Sequence, residues 1–223
     1  MIALFLLADP LITTLQAAPP REERTCLVEL NFFFSTNGEE ERQRLLVDPV
    51  TDKVTPLDDN GEPIEDQSAE EENEPEDDDE DGGSVSMGSL SYEDALAILD
   101  LDVEKTGTDG TTTTFQTKSL PKGTVELSGK DLSKNAAITL SVVEDETGPY
   151  IAEYREDLVK PVRMRLVAKV NEYTRQVQFG RPDGELRPVS ERMKSAVKVM
   201  GNDMAFDVAL DYNYLPCPEE GAD

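Results

Sequence analysis

The chain has 223 residues, with 21 Lys or Arg against 48 Asp or Glu and no histidine, so its formal net charge at pH 7 is −27. The lack of histidine excludes Ser-His-Asp and Cys-His triads and removes the commonest transition-metal ligand. Hydrophobic residues make up only 37% of the chain, which favours one domain with disordered segments over a domain that fills the whole length.

The acidic excess lies in the first half of the chain. Residues 1–110 carry 6 basic and 30 acidic residues, whereas residues 111–223 carry 15 and 18. We therefore expect a nearly neutral folded body in the second half, preceded by a strongly acidic segment.

The N-terminal segment, residues 1–24, opens with an apolar run that Asp9 and Pro10 interrupt. This run is too short for a transmembrane helix, so no membrane span is predicted. A short helix or strand that docks on the core is favoured, and with it a cytoplasmic protein. The alternative is a secretory leader, which would place the protein outside the cytosol or in an organelle.

The chain has two cysteines, Cys26 and Cys217. Two thiols cannot build a zinc site alone. Free thiols in a reducing cytosol are favoured, and a disulfide between them is the alternative if the chain is exported.

Residues 25–58 are predicted to form a β-hairpin element that contributes to the main sheet. Alternating side chains in TCLVELNFFFS indicate a strand from Thr25 to Ser35. Asn37 and Gly38 follow as a turn signal, and the run Arg42 to Val47 is the expected return strand.

Residues 59–90 are predicted to be a disordered acidic linker. From Asp58 to Asp81 the sequence has 15 acidic residues and no Lys or Arg, and such like charges repel with almost nothing apolar to bury. The Asp-rich end matches only half of a calcium-loop pattern, because Gly88 stands where the bidentate Glu belongs. We predict no metal site, and we take the densest part of the run as a candidate acidic arm: Asp77, Asp78, Asp79, Glu80 and Asp81.

Residues 91–216 are predicted to form the core domain, with a frayed tail over residues 217–223. The domain begins with a short helix from Ser91 to Leu101, for which Ser91 is a suitable N-cap. Short β-branched or alternating runs then predict four strands: Thr111–Thr117, Thr124–Leu127, Ala136–Val143 and Tyr150–Tyr154.

The clearest alternation runs from Val162 to Phe179 and predicts a strand, a tight turn and a return strand. One side of the first strand is basic. The other side is apolar and predicted to face the core: Val162, Met164, Leu166, Ala168 and Val170.

Two further elements follow this ribbon. Val189 to Met200 has helical spacing of its apolar residues and predicts a helix that ends at Gly201. Asp203 to Leu215 alternates again and predicts a strand. Its carboxylates at positions 203, 207 and 211 are about 13 Å apart along one face, too far for an acid/base pair. We interpret Asp203, Asp207 and Asp211 as a solvated face.

Together these elements predict an α+β fold with a mainly antiparallel sheet and one or two short helices, plus the disordered acidic segment. The alternative is an all-β sandwich that carries one surface helix.

A second charge feature is a basic face in this otherwise acidic chain, since residues 155–198 carry 11 basic and 6 acidic residues. It is either a set of ordinary solvating charges or a partner-binding surface. Nucleic acid is disfavoured because no aromatic residue interleaves with the basic ones and the overall charge repels polyanions. The candidate residues are Arg163, Arg165, Lys169, Arg175, Lys194 and Lys198.

We therefore expect a soluble, non-enzymatic acidic interaction or assembly protein. Its disordered acidic arm would contact a basic partner protein or screen the chain's own basic face. A structural subunit of a larger oligomeric assembly is the alternative. An enzyme of unknown class is a lesser alternative, because no catalytic residues and no cofactor site are predicted.

Overall fold

The computed structural model of the protein describes residues 9–17, 26–51, 53–64, 90–165, 168–182 and 184–216. Within those residues the chain forms an eleven-stranded antiparallel sheet and two short helices. This confirms the predicted α+β class with a mainly antiparallel sheet. The sandwich alternative is wrong, because the long strands all belong to one sheet.

The helices are α1 (Pro10–Gln16) and α2 (Tyr92–Ala97), and the strands in chain order are β1 (Val28–Thr36), β2 (Glu39–Asp48), β3 (Lys53–Leu57), β4 (Val103–Asp109), β5 (Thr112–Thr117), β6 (Glu126–Leu127), β7 (Lys130–Asp131), β8 (Ala136–Asp145), β9 (Gly148–Leu158), β10 (Val162–Arg165), β11 (Ala168–Gly180), β12 (Arg187–Val199) and β13 (Asn202–Tyr214). Two 3-10 turns lie at Ile98–Asp100 and Ser133–Asn135.

Across the main sheet the order is β3-β2-β1-β13-β12-β11-β9-β8-β5-β4, and β10 also pairs with β11. Strands β6 and β7 form a separate hairpin. The N-terminal hairpin is thus joined to the last strand, since β1 pairs with β13 along nine residues from Val28 to Thr36. Elements from the two ends of the described chain therefore meet within one sheet.

The sheet has two chemically different faces, which follow from the two-residue strand period. We call the side that carries the hydrophobic core the core face and the opposite side the outer face. Helices α1 and α2 contact β9 and bury Leu15 and Tyr92 against the core. Buried core-face residues of successive strands are Phe115, Leu140, Tyr154, Val177, Met193 and Val208.

Helix α2 begins where its sequence predicts. The Ser91 hydroxyl accepts a hydrogen bond from Asp94 N at 3.1 Å, and the Asp94 carboxylate accepts one from Ser91 N at 3.0 Å. This capping box satisfies two exposed main-chain donors of the helix end. The helix is fixed to the sheet by Tyr92, whose hydroxyl accepts a hydrogen bond from Ile151 N at 3.0 Å.

Helix α1 lies within the apolar N-terminal segment. The Asp9 carboxylate accepts a hydrogen bond from Leu11 N at 2.9 Å, and Pro10 stands at the first helical turn, where its missing N–H is not needed. Residues 1–8 lie outside the described residues. In the described ranges, no helix is both long and apolar enough to cross a membrane.

The helix predicted from Val189 to Met200 is wrong, because residues 189–199 belong to strand β12, which pairs with β11 and β13 on its two sides, and Met200 lies in the turn that follows. Glu191, Met193 and Ser195 are all buried on its core face. Two of these three residues are polar, so the sequence of the strand does not alternate between apolar and polar residues. Pairing on both sides overrides the weak helical spacing.

The ribbon from Val162 to Phe179 turns earlier than predicted. Val162 pairs with Val170 and Arg165 with Ala168, so Ala168 already belongs to the return strand. Val162 and Val170 are both buried, as expected for the core side. Leu166 lies outside the described residues.

The first hairpin follows the sequence closely. Asn37 and Gly38 both have positive φ, 52° and 91°, which is the conformation that this dipeptide favours between two strands. Residues 59–64, which the sequence assigns to the linker, instead fold back on β3, with Ile64 N donating to Pro56 O at 2.9 Å. The acidic-arm residues from Asp77 to Asp81 lie outside the described residues.

Cys26 is buried and disulfide-bonded, so the prediction of a free thiol is wrong at this position. Cys217, the other cysteine of the chain, lies outside the described residues. The ladder between β1 and β13 ends beside Cys26, where Leu215 N donates to Leu27 O at 3.0 Å.

Candidate functional site

The outer face of β12 and β13 carries a row of ion pairs. Lysine and arginine side chains of β12 reach carboxylates of β13 directly or diagonally opposite. The pairs are Arg192–Asp211 at 2.7 Å, Lys194–Asp207 at 2.7 Å and Lys198–Asp203 at 3.3 Å. The three aspartates are therefore a solvated face with cationic neighbours, as the alternation indicates, and each exposed pair contributes at most about 1 kcal/mol.

Next to these pairs, three cations stand in one line across the sheet. Arg163 of β10 is directly opposite Lys169 of β11, and Lys169 is directly opposite Lys198 of β12. All three residues are exposed on the outer face. We call Arg163, Lys169 and Lys198 the cationic row.

The cationic row is electrostatically unfavourable for the isolated fold. Directly opposite side chains in an antiparallel pair are about 5 Å apart at Cβ, and like charges there destabilise the sheet. Lys198 has one exposed partner, Asp203. No ion pair joins Arg163 or Lys169 to any other residue in the described part of the chain. Glu172, the next acidic residue along β11, pairs in register with Ala196 and not with a basic residue.

The other predicted basic residues are not in this row. Lys194 lies on the same face but is neutralised by Asp207. Arg165 pairs through its backbone with Ala168, and its side chain is outside the described part. Arg175 points to the core face, where it is largely buried beside Glu191. The six predicted residues thus separate into a row of three, one paired lysine, one unplaced side chain and one core residue.

A buried polar cluster occupies the core face of β9, β11 and β12, and sequence reasoning missed it. Glu156 is 3% exposed and accepts hydrogen bonds from the hydroxyls of Tyr154 and Tyr173, each at 2.7 Å. Burial raises the pKa of Glu156 above its ordinary value, against the opposing effect of the two tyrosine hydrogen bonds. Burial and the neighbouring carboxylate raise the pKa of both tyrosines.

The second half of this cluster is an ion pair. Arg175 Nε donates to Glu191 Oε1 at 2.6 Å, and the Tyr212 hydroxyl donates to Glu191 Oε2 at 3.3 Å. Burial opposes the charge of Arg175, but the charge of Glu191 and this hydrogen bond outweigh it, so the pKa of Arg175 is raised. Glu191 is 0% exposed.

The cluster has a structural role and not a catalytic one. Its carboxylate oxygens are occupied by tyrosine and arginine donors, and both carboxylates are sealed from solvent, so a substrate has no access to them. A signal was present in the sequence: Tyr154 and Glu156 share one phase of an alternating strand, as do Glu191 and Met193. The cluster is missed when every charged residue of a strand is assumed to face solvent.

In the described part of the chain, no three Asp, Glu or Cys side chains come together in a way that could hold a metal ion.

No protein-family model matches the chain, and neither a curated protein nor a solved structure does.

Proposed function

We propose that the protein is a non-enzymatic interaction protein whose cationic row binds an acidic polypeptide segment, and that its own acidic run competes for the row. The observation that supports this is the register of Arg163, Lys169 and Lys198 in three adjacent strands. An arrangement that costs stability in the free protein is compensated when an anionic ligand lies along it.

The spacing of the row suits a polypeptide. Strands are about 4.8 Å apart, so the three cations span roughly 10 Å, and alternate carboxylates of an extended peptide repeat about every 7 Å. Three or four residues of an acidic segment can therefore place two carboxylates along the row. A nucleic acid is a poorer ligand, because the row consists of one arginine and two lysines and has no aromatic side chain on which bases could stack.

The chain's own acidic run is a natural competitor. Asp58 to Asp81 contain 15 acidic residues, and tethering in the same chain gives them a high effective concentration near the row. An acidic partner must displace the run, and the displaced run is then free to contact a basic protein. By this exchange the protein would act as an assembly factor that binds an acidic and a basic partner at the same time.

The alternative of a structural subunit has weaker support. The edge strand β3 contains Pro56, which has no N–H to donate, and residues 62–64 fold back on it. The other edge strand, β4, exposes Glu104 and Lys105. Both features oppose edge-to-edge pairing between copies.

The test measures binding of a synthetic peptide with the sequence of residues 65–81. The receptor is the full chain in which every Asp and Glu of residues 65–81 is changed to the matching amide, so that the tethered competitor is neutral. The variant Arg163→Gln/Lys169→Gln/Lys198→Gln in that background is compared with Lys105→Gln/Lys122→Gln/Lys134→Gln, which removes the same charge from exposed sites elsewhere.

We expect the row variant to bind roughly tenfold more weakly than the control, since each exposed ion pair contributes about 0.2–1 kcal/mol. Affinity should fall with added salt. The unmodified chain should bind the peptide more weakly than the amide-substituted chain. Equal affinity of the row variant and the control would overturn the proposal.

A further inference from the structure

A cavity of about 560 Å³ lies on the outer face at the β1–β2–β3 end of the sheet, and no residue of the cationic row lines it. Its floor is formed by Asn31 and Phe33 of β1 and by Arg42 of β2, and its roof by the turn that follows β3, including Ile64. This volume falls within the range of about 300–1,000 Å³ that is usual for small-molecule sites.

The turn beside the cavity is joined to the sheet by Arg44. Its guanidinium is bound to Glu29 through Nη2 at 2.6 Å and Nε at 3.0 Å, and its Nη1 donates to Asp59 O at 2.9 Å and Asp58 O at 3.3 Å. The turn is further fixed by the Asp58 carboxylate, which accepts from the N–H of Glu62 at 2.8 Å. Arg44 is thus a positioning residue that anchors the turn to the sheet, and its donors are already in use.

Arg42 makes fewer and weaker contacts than Arg44. Its guanidinium carbon lies 5.1 Å from the centroid of the Phe33 ring, and its ion pair with Glu40 is long, at 3.6 Å, with both side chains mostly exposed. The cavity therefore presents a cation directly above an aromatic ring. A guanidinium placed in this way can stack on a planar group and form hydrogen bonds with an anion at the same time.

The rest of the lining adds apolar surface and restricts charge. Leu57 of β3 and Ile64 of the following turn supply aliphatic surface, and Ile64 is 51% exposed. Asp59 and Asp211 also line the cavity, and their carboxylates repel a ligand with several negative charges. The Asp211 carboxylate is already bound to Arg192.

We propose that this cavity binds a small amphipathic organic anion with a planar apolar body and one anionic group, a carboxylate or sulfonate. The body packs on Leu57, on Ile64 and on the part of the Phe33 ring that the Arg42 guanidinium leaves uncovered, and the anion is held by Arg42. This site is independent of the cationic row and of the function proposed for it, since the two share no residue.

The test compares two fluorescent probes that have the same aromatic skeleton. One is 1-anilinonaphthalene-8-sulfonate, which carries a single sulfonate, and the other is N-phenyl-1-naphthylamine, which carries no charge. Both are titrated into the folded full chain and into the variants Arg42→Gln, Phe33→Ala and Phe33→Leu. The matched control is Arg163→Gln, which removes an exposed arginine outside the cavity.

We expect Arg42→Gln to weaken binding of the sulfonate probe roughly tenfold, the loss of one charge-assisted hydrogen bond. The same variant should leave the affinity for the neutral probe within about twofold. Phe33→Ala should weaken both probes, and Phe33→Leu should do so less, because it retains apolar contact area. If Phe33→Ala does not fold, as shown by the loss of cooperative unfolding, Phe33→Leu still tests the contribution of the aromatic ring.

The proposal is overturned if Arg42→Gln and Arg163→Gln have equal effects on the sulfonate probe, or if neither Phe33 variant changes binding. It is also overturned if the neutral probe responds to Arg42→Gln as strongly as the sulfonate does, because the arginine would then act only by shaping the cavity. A failure here leaves the peptide-binding result of the cationic row unaffected.

Discussion

Arg175 and Glu191 lie on adjacent strands of the sheet, and a 2.6 Å hydrogen bond joins them on the core face, where Glu191 is fully buried. Glu156, on the strand at the other side of β11, is directly opposite Arg175 in register. One guanidinium therefore stands between two buried carboxylates. Three tyrosine hydroxyls donate hydrogen bonds to these carboxylates: Tyr154, Tyr173 and Tyr212.

Removing one member of the buried ion pair should be strongly destabilising. We expect Arg175→Met or Glu191→Gln to lower the free energy of unfolding by about 3–5 kcal/mol, because the remaining group stays buried without its partner. The double variant Arg175→Met/Glu191→Leu should recover most of this loss. Urea unfolding measures both. The matched control is the more exposed pair of Lys194 and Asp207, in which Lys194→Gln should cost at most about 1 kcal/mol. An equal cost at the two sites would contradict the account.

Glu156 should make stability fall as pH rises. Its pKa is raised in the folded protein, mainly by burial, from an ordinary value of 4.5. The folded state therefore holds the proton more tightly than the unfolded state does. The resulting stabilisation is complete below about pH 4.5 and is lost as pH rises through the raised folded value.

Glu156→Gln removes this titration, so its stability relative to the unmodified protein should increase with pH. Unfolding free energies from pH 4 to pH 8, obtained by urea titration, give the difference directly. Glu153→Gln is the matched control, since Glu153 lies on the same strand and points to the outer face, where Gln176 donates to it. If the difference in free energy of unfolding between Glu156→Gln and the unmodified protein does not change with pH, burial does not raise the pKa of Glu156.

Most of the sheet could be predicted because its strands alternate apolar and polar residues. Strand β13 and the Asn37-Gly38 hairpin were read correctly for this reason. Strand β12 was not, because Glu191 and Ser195 face the core. Its true period appears only once β11 and β13 are in place on its two sides, which is information that a local pattern does not contain.

The sequence could predict which basic residues supply the candidate site, but not which of them lie side by side. The excess of basic residues between 155 and 198 correctly marked an outer face with cations. Which of them stand together depends on the pairing of β10, β11 and β12, and hence on a return strand that begins at Ala168, earlier than the sequence alone indicates. Arg175 illustrates the difference, because the same strand carries Lys169 outward and Arg175 inward.

Removing the central charge of the cationic row should stabilise the fold. Lys169→Gln eliminates two directly opposed like-charge pairs, with Arg163 and with Lys198, each of which costs about 0.2–1 kcal/mol. We expect a higher urea midpoint at low salt and a smaller gain at about 1 M salt, where charges are screened beyond about 3 Å. Lys134→Gln controls for the change in net charge. A loss of stability in Lys169→Gln beyond that control would show that the row is not repulsive.

The disulfide of Cys26 should close a long loop and contribute to stability. We predict Cys217 as its partner, because Leu215 and Leu27 already pair beside Cys26. Peptide mapping without reduction should recover the two cysteines in one linked fragment. Cys26→Ser should lower the free energy of unfolding by about 2–5 kcal/mol. Free thiols that react with an alkylating reagent in the folded, unreduced protein would contradict this.

The first hairpin offers a test of backbone strain that is free of side-chain clashes. Gly38 has φ of 91°, and a Cβ added there would meet nothing within 4 Å. Gly38→Ala should therefore cost about 1–2 kcal/mol through the backbone alone, since L-residues avoid the left-handed region. The control is Gly107→Ala in edge strand β4, which has equally open surroundings and no positive φ. There the substitution should be neutral or stabilising by up to about 1 kcal/mol, because it restricts the unfolded chain. Thermal unfolding of the two variants separates these effects, and equal shifts in the two midpoints would show that the turn conformation is not what requires glycine.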